Sequence, residues 1–324
     1  MRRVLLTIAL TGCLSAIVWT ASGQARPTLQ HEYVRVNGVR LHYVTTGTGS
    51  LILFLHGFPE FWYEWKNQLA EFGADHLAVA PDLRGYNLSD KPTVLDRYEY
   101  SQLLEDIRQL GDHFSANRKF VLVGHDWGGV LAWRFAIAYP DRLERLVIIN
   151  APHPRVFARL LTSDPAQRNA SQYVFANRSP LAEKTLSENN YAALVNRILD
   201  PGLKSGAFTE EDKAAYLEAW SQPGALTGGL NYYRANRSGP PTPGQDTRLS
   251  ASPADNDKLE GPSIVKVPTL VIWGEQDMGV LPQNLEGLEQ FVPALTTKRI
   301  KDGSHWVVHE KPTQVNGYIR EFIR

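Results

Sequence analysis

Five stretches of the chain are continuously apolar and only four or five residues long: 51–55, 77–80, 120–123, 146–149 and 270–273. Short runs without polar alternation are the pattern of strands covered on both faces. Ahead of them, residues 33–44 alternate apolar and polar on either side of Asn37-Gly38, which predicts a β-hairpin. Residues 63–71, 101–114, 130–138 and 314–323 carry apolar residues at helical spacing instead. Strands alternating with helices predict an α/β protein with a mostly parallel, doubly wound sheet.

The alternation stops between about 151 and 267. Helical patterns continue there, at 191–198 and 210–220, but no buried strand is legible. This stretch reads as a helical insertion between two strands of the core. Residues 238–262 are rich in Pro, Ser, Gly and Asp and have little periodicity, which predicts an exposed loop leading back to the core.

The N-terminus has a different character. Arg2 and Arg3 precede a nearly uninterrupted apolar or small stretch to Trp19, and small residues follow at Ala21, Ser22, Gly23 and Ala25. That order is the pattern of a secretory signal peptide, so an exported, periplasmic or secreted protein is expected, with no integral membrane span after processing. A retained anchor is one alternative. A lipoprotein box at Leu10-Thr11-Gly12-Cys13, lipidated on Cys13, is another. The resulting division is a leader at 1–25, core at 26–151, helical insertion and connecting loop at 152–262, and core again at 263–324.

Composition narrows the chemistry. Cys13 is the single cysteine and lies in the leader, so disulfides, thiol catalysis and cysteine metal sites are not expected. The 324 residues hold 34 basic and 34 acidic side chains. That balance gives no reason to expect nucleic acid or an anionic surface as partner.

The apolar run at 120–123 leads into Gly124-His125-Asp126-Trp127-Gly128-Gly129 and then into a helical pattern. Strand, glycine-flanked turn, helix is the context of a nucleophile elbow, and the residue presented is Asp126. A carboxylate there attacks an sp³ carbon and leaves an ester on the enzyme, whereas a serine would attack an acyl carbon. The plainer reading of Asp126 is a helix cap. Three further features favour the catalytic one. His56-Gly57-Phe58-Pro59 follows the run at 51–55, and the N–H groups of Phe58 and Trp127 are expected to form an oxyanion hole. Asp277 follows the run at 270–273, with Glu275 as a rival acid. His305 lies beyond it, before the last helix, in the order nucleophile, acid, histidine. His309 lacks the glutamate of a zinc-binding helix motif and reads as a surface residue, so no metal and no cofactor are expected.

The segments 56–65, 82–89 and 124–129 resemble the signatures of epoxide hydrolases in the Asp-nucleophile branch of the α/β-hydrolase superfamily, close to haloalkane and fluoroacetate dehalogenases. The resemblance implies an α/β-hydrolase fold with an inserted helical cap and conversion of an epoxide to a vicinal diol. It also implies cap tyrosines that donate a proton to the epoxide oxygen. The match at 221–234 places one of them at Tyr233. The second position falls on Ser171, with Tyr173 two residues out of register. Trp62, Phe157, Phe58 and Trp127 suggest an apolar pocket, hence a hydrophobic substrate consumed with water. Two alternatives stay open: a haloalkane dehalogenase using the same aspartate, and a non-catalytic ligand receptor on the same scaffold. Haloacids are disfavoured, because Trp127 and Val130 stand where a cationic clamp would be needed for their carboxylate.

Overall fold

A computed structural model describes residues 28–236 and 263–324. The expected leader and the expected loop at 238–262 lie outside the described residues. The Asn37-Gly38 turn joins β1 (Gln30–Val36) to β2 (Val39–Thr46), and both turn residues have positive φ. The apolar runs become β3 (Leu51–Leu55), β4 (Leu77–Pro81), β5 (Phe120–His125), β6 (Leu143–Ile149) and β7 (Thr269–Gly274). With β8 (Leu295–Ile300) they form one sheet in the order β1-β2-β4-β3-β5-β6-β7-β8. Every pairing from β4 to β8 is parallel, and β2 meets both β1 and β4 antiparallel.

Alternate residues of the central strands serve different halves of the core, as the period of two requires. Leu53, Leu55, Leu122 and Leu146 pack with α2 (Tyr100–Ser115) and α3 (Asp126–Ala138). Ile52, Phe54, Val121 and Val123 face the opposite way, against Trp65, Leu69 and Phe72 and against Val315 and Ile319 of the C-terminal helix Pro312–Ile323. Leu69 and Phe72 belong to α1 (Lys66–Phe72). Strand β8 was not legible as a buried run. It is an edge strand with sequence LTTKRI, and of its residues Ile300 alone is buried.

Seven α-helices, with a π-helical turn at Val195–Leu199, lie between β6 and β7 among the described residues. They run from α4 (Pro154–Ser163) through α5 (Pro165–Ala170), α6 (Tyr173–Arg178), α7 (Ala182–Leu194), α8 (Asp200–Ser205) and α9 (Glu210–Ser221) to α10 (Ala225–Asn236). This cap is fastened to the core by polar contacts as well as by packing. The Trp220 indole N–H donates to the Pro59 carbonyl at 2.7 Å, and the Tyr63 hydroxyl donates to Asp212 at 2.8 Å. The Tyr232 hydroxyl donates to the Arg84 carbonyl at 2.9 Å. Helix α10 approaches the core closely at Gly228, where a Cβ would lie 2.1 Å from the Gly85 carbonyl oxygen. Any larger residue would push the helix away.

Candidate active site

Strand β5 ends at His125, and α3 begins at once with Asp126. The turn between them is tight enough to hold Asp126 at φ 48°, a backbone conformation that costs a non-glycine residue energy and is kept where the surroundings enforce it. Glycines packed against the turn are required by contact. A Cβ on Gly128 would lie 2.0 Å from the Leu55 carbonyl oxygen, and one on Gly57 would lie 2.4 Å from Asp126 Cβ. The turn thereby lifts the Asp126 carboxylate above the C-terminal ends of the strands.

Three elements converge on that carboxylate. The Phe58 N–H donates to Asp126 Oδ1 at 2.7 Å. Trp127, the other expected donor, stands in the first turn of α3, where N–H groups have no acceptor within the helix. His305 Nε2 lies 3.6 Å from Asp126 Oδ2, and His305 Nδ1 lies 2.7 Å from Asp277 Oδ2. Asp277 is buried and is held by the Asn150 side-chain amide at 2.8 Å and by the N–H groups of Gly279 and Val280 at 2.8 and 2.9 Å. Glu275, the rival acid, is instead paired with Arg299 at 2.6 Å.

The charges support one another. Burial works to raise the Asp126 carboxyl pKa. The hydrogen bond and charge of His305, the charge of His125 and the Phe58 N–H outweigh it and hold the group below its ordinary value. Asp277 is lowered as well, since His305, the Val280 N–H and Asn150 overcome the effect of burial. For His305 burial favours the neutral ring, but the two carboxylates raise its pKa well above normal. His125, the residue before the aspartate, is itself raised by Glu64, whose carboxylate lies 2.5 Å away and opposes the effect of burial.

The family described as alpha/beta hydrolase fold matches residues 50–312. A structure of a Bacillus megaterium epoxide hydrolase variant superposes with TM-score 0.82 at 38% identity, covering 90% of this chain and 99% of that one. Another, of a variant complexed with its product, a naphthyloxy-propane-1,2-diol, gives TM-score 0.81 at 37% identity over 90% and 99% of the two chains. Among curated relatives, epoxide hydrolase 4 of Mus musculus is 37% identical over 304 residues, covering 91% of this chain and 79% of the relative. An α/β-hydrolase superfamily protein of Bacillus subtilis is 39% identical over 297 residues, 90% and 97% of the two chains. The chain is an epoxide hydrolase of the α/β-hydrolase superfamily.

In this epoxide hydrolase the cap closes over Asp126 and leaves two cavities that both reach it. The larger, about 300 Å³, is lined by Phe58, Tyr173, Leu194, Tyr233, Val280 and His305 among others. The smaller, about 60 Å³, is lined by Trp127, Val130, Phe157 and Leu161 and again by Asp126, Tyr173 and Tyr233. Tyr173 and Tyr233 therefore stand where the cavities meet, with ring centroids 6.4 Å apart and edge to face. Tyr233 is further fixed by Trp127 and Phe58, at centroid distances of 5.0 and 5.5 Å. Burial and the charge of Asp126 raise both phenol pKa values, so both remain neutral donors.

The expected register at the second tyrosine is corrected by this geometry. Ser171 is fully buried and accepts a hydrogen bond from Gln167 at 2.9 Å, within the α5–α6 corner. Tyr173, at the start of α6, faces the cavity instead.

Two further expectations are overturned. Trp62 does not line either cavity. The chain turns after Pro59, and the Trp62 N–H donates to Asp82 at the end of β4 while its indole packs edge-on against His31 at 5.0 Å. His309 is not on the surface. It is 4% exposed in the seam between core and cap, with Nε2 3.3 Å from Glu60 Oε1 and its ring 4.6 Å from Phe208. Four residues past His305, the short helix Val307–Glu310 rolls that side chain inward.

Asn150 was not anticipated. It follows β6 at φ 40° and bridges the Gly274 N–H to Asp277, tying the acid to the strand that carries it. Its signal in the sequence was an asparagine just beyond a buried run, which is also an ordinary turn signal.

Proposed function

We propose that this epoxide hydrolase converts a hydrophobic epoxide to a vicinal diol through an ester on Asp126. The observation that carries the reading is the facing pair Tyr173 and Tyr233, set at the same cavity junction as Asp126. Asp126 attacks one epoxide carbon, and the C–O bond to that carbon breaks. The oxygen takes a proton from a tyrosine hydroxyl and stays on the neighbouring carbon as an alcohol. Water deprotonated by His305 then attacks the Asp126 carbonyl carbon. The resulting oxyanion is met by the Phe58 N–H and by that of Trp127, and the ester breaks to diol and free carboxylate.

The charges time these steps. In the free enzyme the Asp126 carboxylate helps keep His305 protonated and the tyrosines weakly acidic. Ester formation removes that negative charge. His305 then holds its proton less tightly; that proton restores the tyrosine hydroxyl, and the neutral ring becomes available as a base, with Asp277 still orienting it.

The apolar character of the cavities supports a hydrophobic substrate, and so does the aryl ether diol bound by the Bacillus megaterium relative. Haloalkane dehalogenation would use the same aspartate, but a departing halide needs no proton, and two neutral phenols would then have no acid to supply. Hydrophobic epoxides and haloalkanes assayed side by side for diol and halide should give diol only. Tyr233→Phe and Tyr173→Phe should each cost roughly 10²-fold in epoxide turnover, the lower end for losing a general acid. Halide release that survives both substitutions would make the dehalogenase reading the better one.

Export is part of the proposal. It rests on the basic, apolar and small-residue order of the first 25 positions. N-terminal sequencing of protein recovered outside the cytoplasm should find a start near Arg26. An intact Met1 or a lipidated Cys13 would contradict it.

A further inference from the structure

One wall of the larger cavity is irregular. Within α7 the backbone leaves helical geometry at Glu188, and Asn189, Asn190 and Tyr191 follow at φ 50°, 55° and 61°. Asparagine tolerates this left-handed region, whereas a tyrosine there is strained. The chain then passes through a π-helical turn, Val195–Leu199. Such a turn carries one residue more than an α-turn and is frequent at functional sites. Its product is a wall on which Leu194, Arg197 and Ile198 all face the cavity.

Arg197 is the unusual member of that wall. It has neither a hydrogen bond nor an ion pair with any of the described residues, and its contact is with the Tyr173 ring. Its guanidinium carbon lies 5.5 Å from the centroid of the Tyr173 ring, one of the two phenols that line the cavity. It is exposed, so it stands where the cavity opens to solvent. The other charged groups around the cavity have assigned partners. Asp126 and His305 face each other, and Glu310 accepts from the Ser304 N–H at 2.7 Å and from its hydroxyl at 2.6 Å. A cation with no ion-pair partner among the described residues, at one point of an apolar rim and with a carboxylate on a different wall, gives the entrance a direction.

We infer that Arg197 is a specificity-determining residue that selects epoxides whose longer substituent carries an anionic group, a carboxylate above all. The epoxide end sits between Asp126 and the tyrosines, the apolar part of the tail lies along Leu194 and Ile198, and the anionic end meets the guanidinium at the mouth. This rests on the epoxide-hydrolase reading of the site and adds the charge of the substrate to it.

The test compares phenyl glycidyl ether with the same ether bearing a para-carboxylate, in the full-length enzyme, as the ratio of their kcat/KM values. Arg197→Gln should lower the carboxylate-to-neutral ratio about five- to tenfold, as expected for a charge pair between an exposed and an enclosed setting. Arg197→Lys should keep most of the ratio, and Arg197→Glu should drive it below that of Arg197→Gln. Raising salt to about 1 M, where the screening length is about 3 Å, should erode the wild-type ratio and leave that of Arg197→Gln unmoved. A ratio that is the same in all four proteins overturns the inference while the epoxide-hydrolase reading stands. An equal loss on both ethers also overturns it, because Arg197 would then act through Tyr173. If the wild-type enzyme opens neither ether, the reading of the site fails and takes the inference with it.

Discussion

Asp126→Ala is expected to abolish epoxide turnover, with a fall of at least about 10⁴-fold, the scale seen when a covalent nucleophile is removed. No neighbouring group can take over the attack. Asp277 is the other carboxylate on His305, but it is buried and tied to His305, Asn150 and two backbone N–H groups. The variant should still fold, because alanine needs less room in the strained turn, although it too dislikes a φ of 48°. Binding of an epoxide, followed by fluorescence of the tryptophans around the cavity, should therefore outlast catalysis. A wild-type single turnover in heavy-oxygen water supplies the independent check. The oxygen delivered to the diol in that first turnover should come from the Asp126 carboxylate and be light. Heavy label in the first diol would mean that water attacks the epoxide directly.

His305→Gln should behave differently, because alkylation and hydrolysis ask different things of the histidine. Asp126 attacks as an anion, and the Phe58 N–H and the charge of His125 still hold it as one. The second half-reaction needs a base and loses it. Turnover should fall roughly 10³-fold or more, within the usual range for a general base, and mass spectrometry should find the substrate adduct on the peptide holding Asp126. Its pH dependence is fixed in sign. Without the His305 cation, burial has less to oppose it, so the Asp126 pKa rises and the acid limb of alkylation moves to higher pH. In the wild type the hydrolytic step requires neutral His305, so the ester should accumulate as pH is lowered and clear as it is raised. Full turnover by His305→Gln, or an adduct on any other peptide, would sink the two-step mechanism.

The site was legible in sequence wherever one residue type in one local context has few alternatives. A glycine-flanked aspartate after a buried run could be an elbow or a helix cap, and His56-Gly57-Phe58 after another run favours the elbow by placing a backbone donor at the same sheet edge. Asp277 and His305 could be ordered along the chain because parallel strands deliver their C-terminal ends to one side of the sheet. The five central strands were legible for a related reason. Both of their faces are buried, so their composition is nearly free of polar residues.

Tertiary structure decided the rest. Strand β8 exists through pairing with β7, since an edge strand with one solvated face needs no apolar run. Ser171 and Tyr173 differ by two positions on neighbouring short helices, and the α5–α6 corner alone determines which of them faces the cavity. Trp62 and His309 show the converse. Both side chains suit several environments, and packing of distant segments sent one to the edge of the sheet and the other into the cap seam. Arg197 reaches the cavity through a backbone irregularity that no periodicity announces. Local sequence thus determined the strands, the elbow and the order of the charged groups, because these depend on short-range sterics and on burial from both sides. The cap geometry, which sets which tyrosines and which cation face the cavity, came only from the fold, because it depends on how helices far apart in the chain pack against the core.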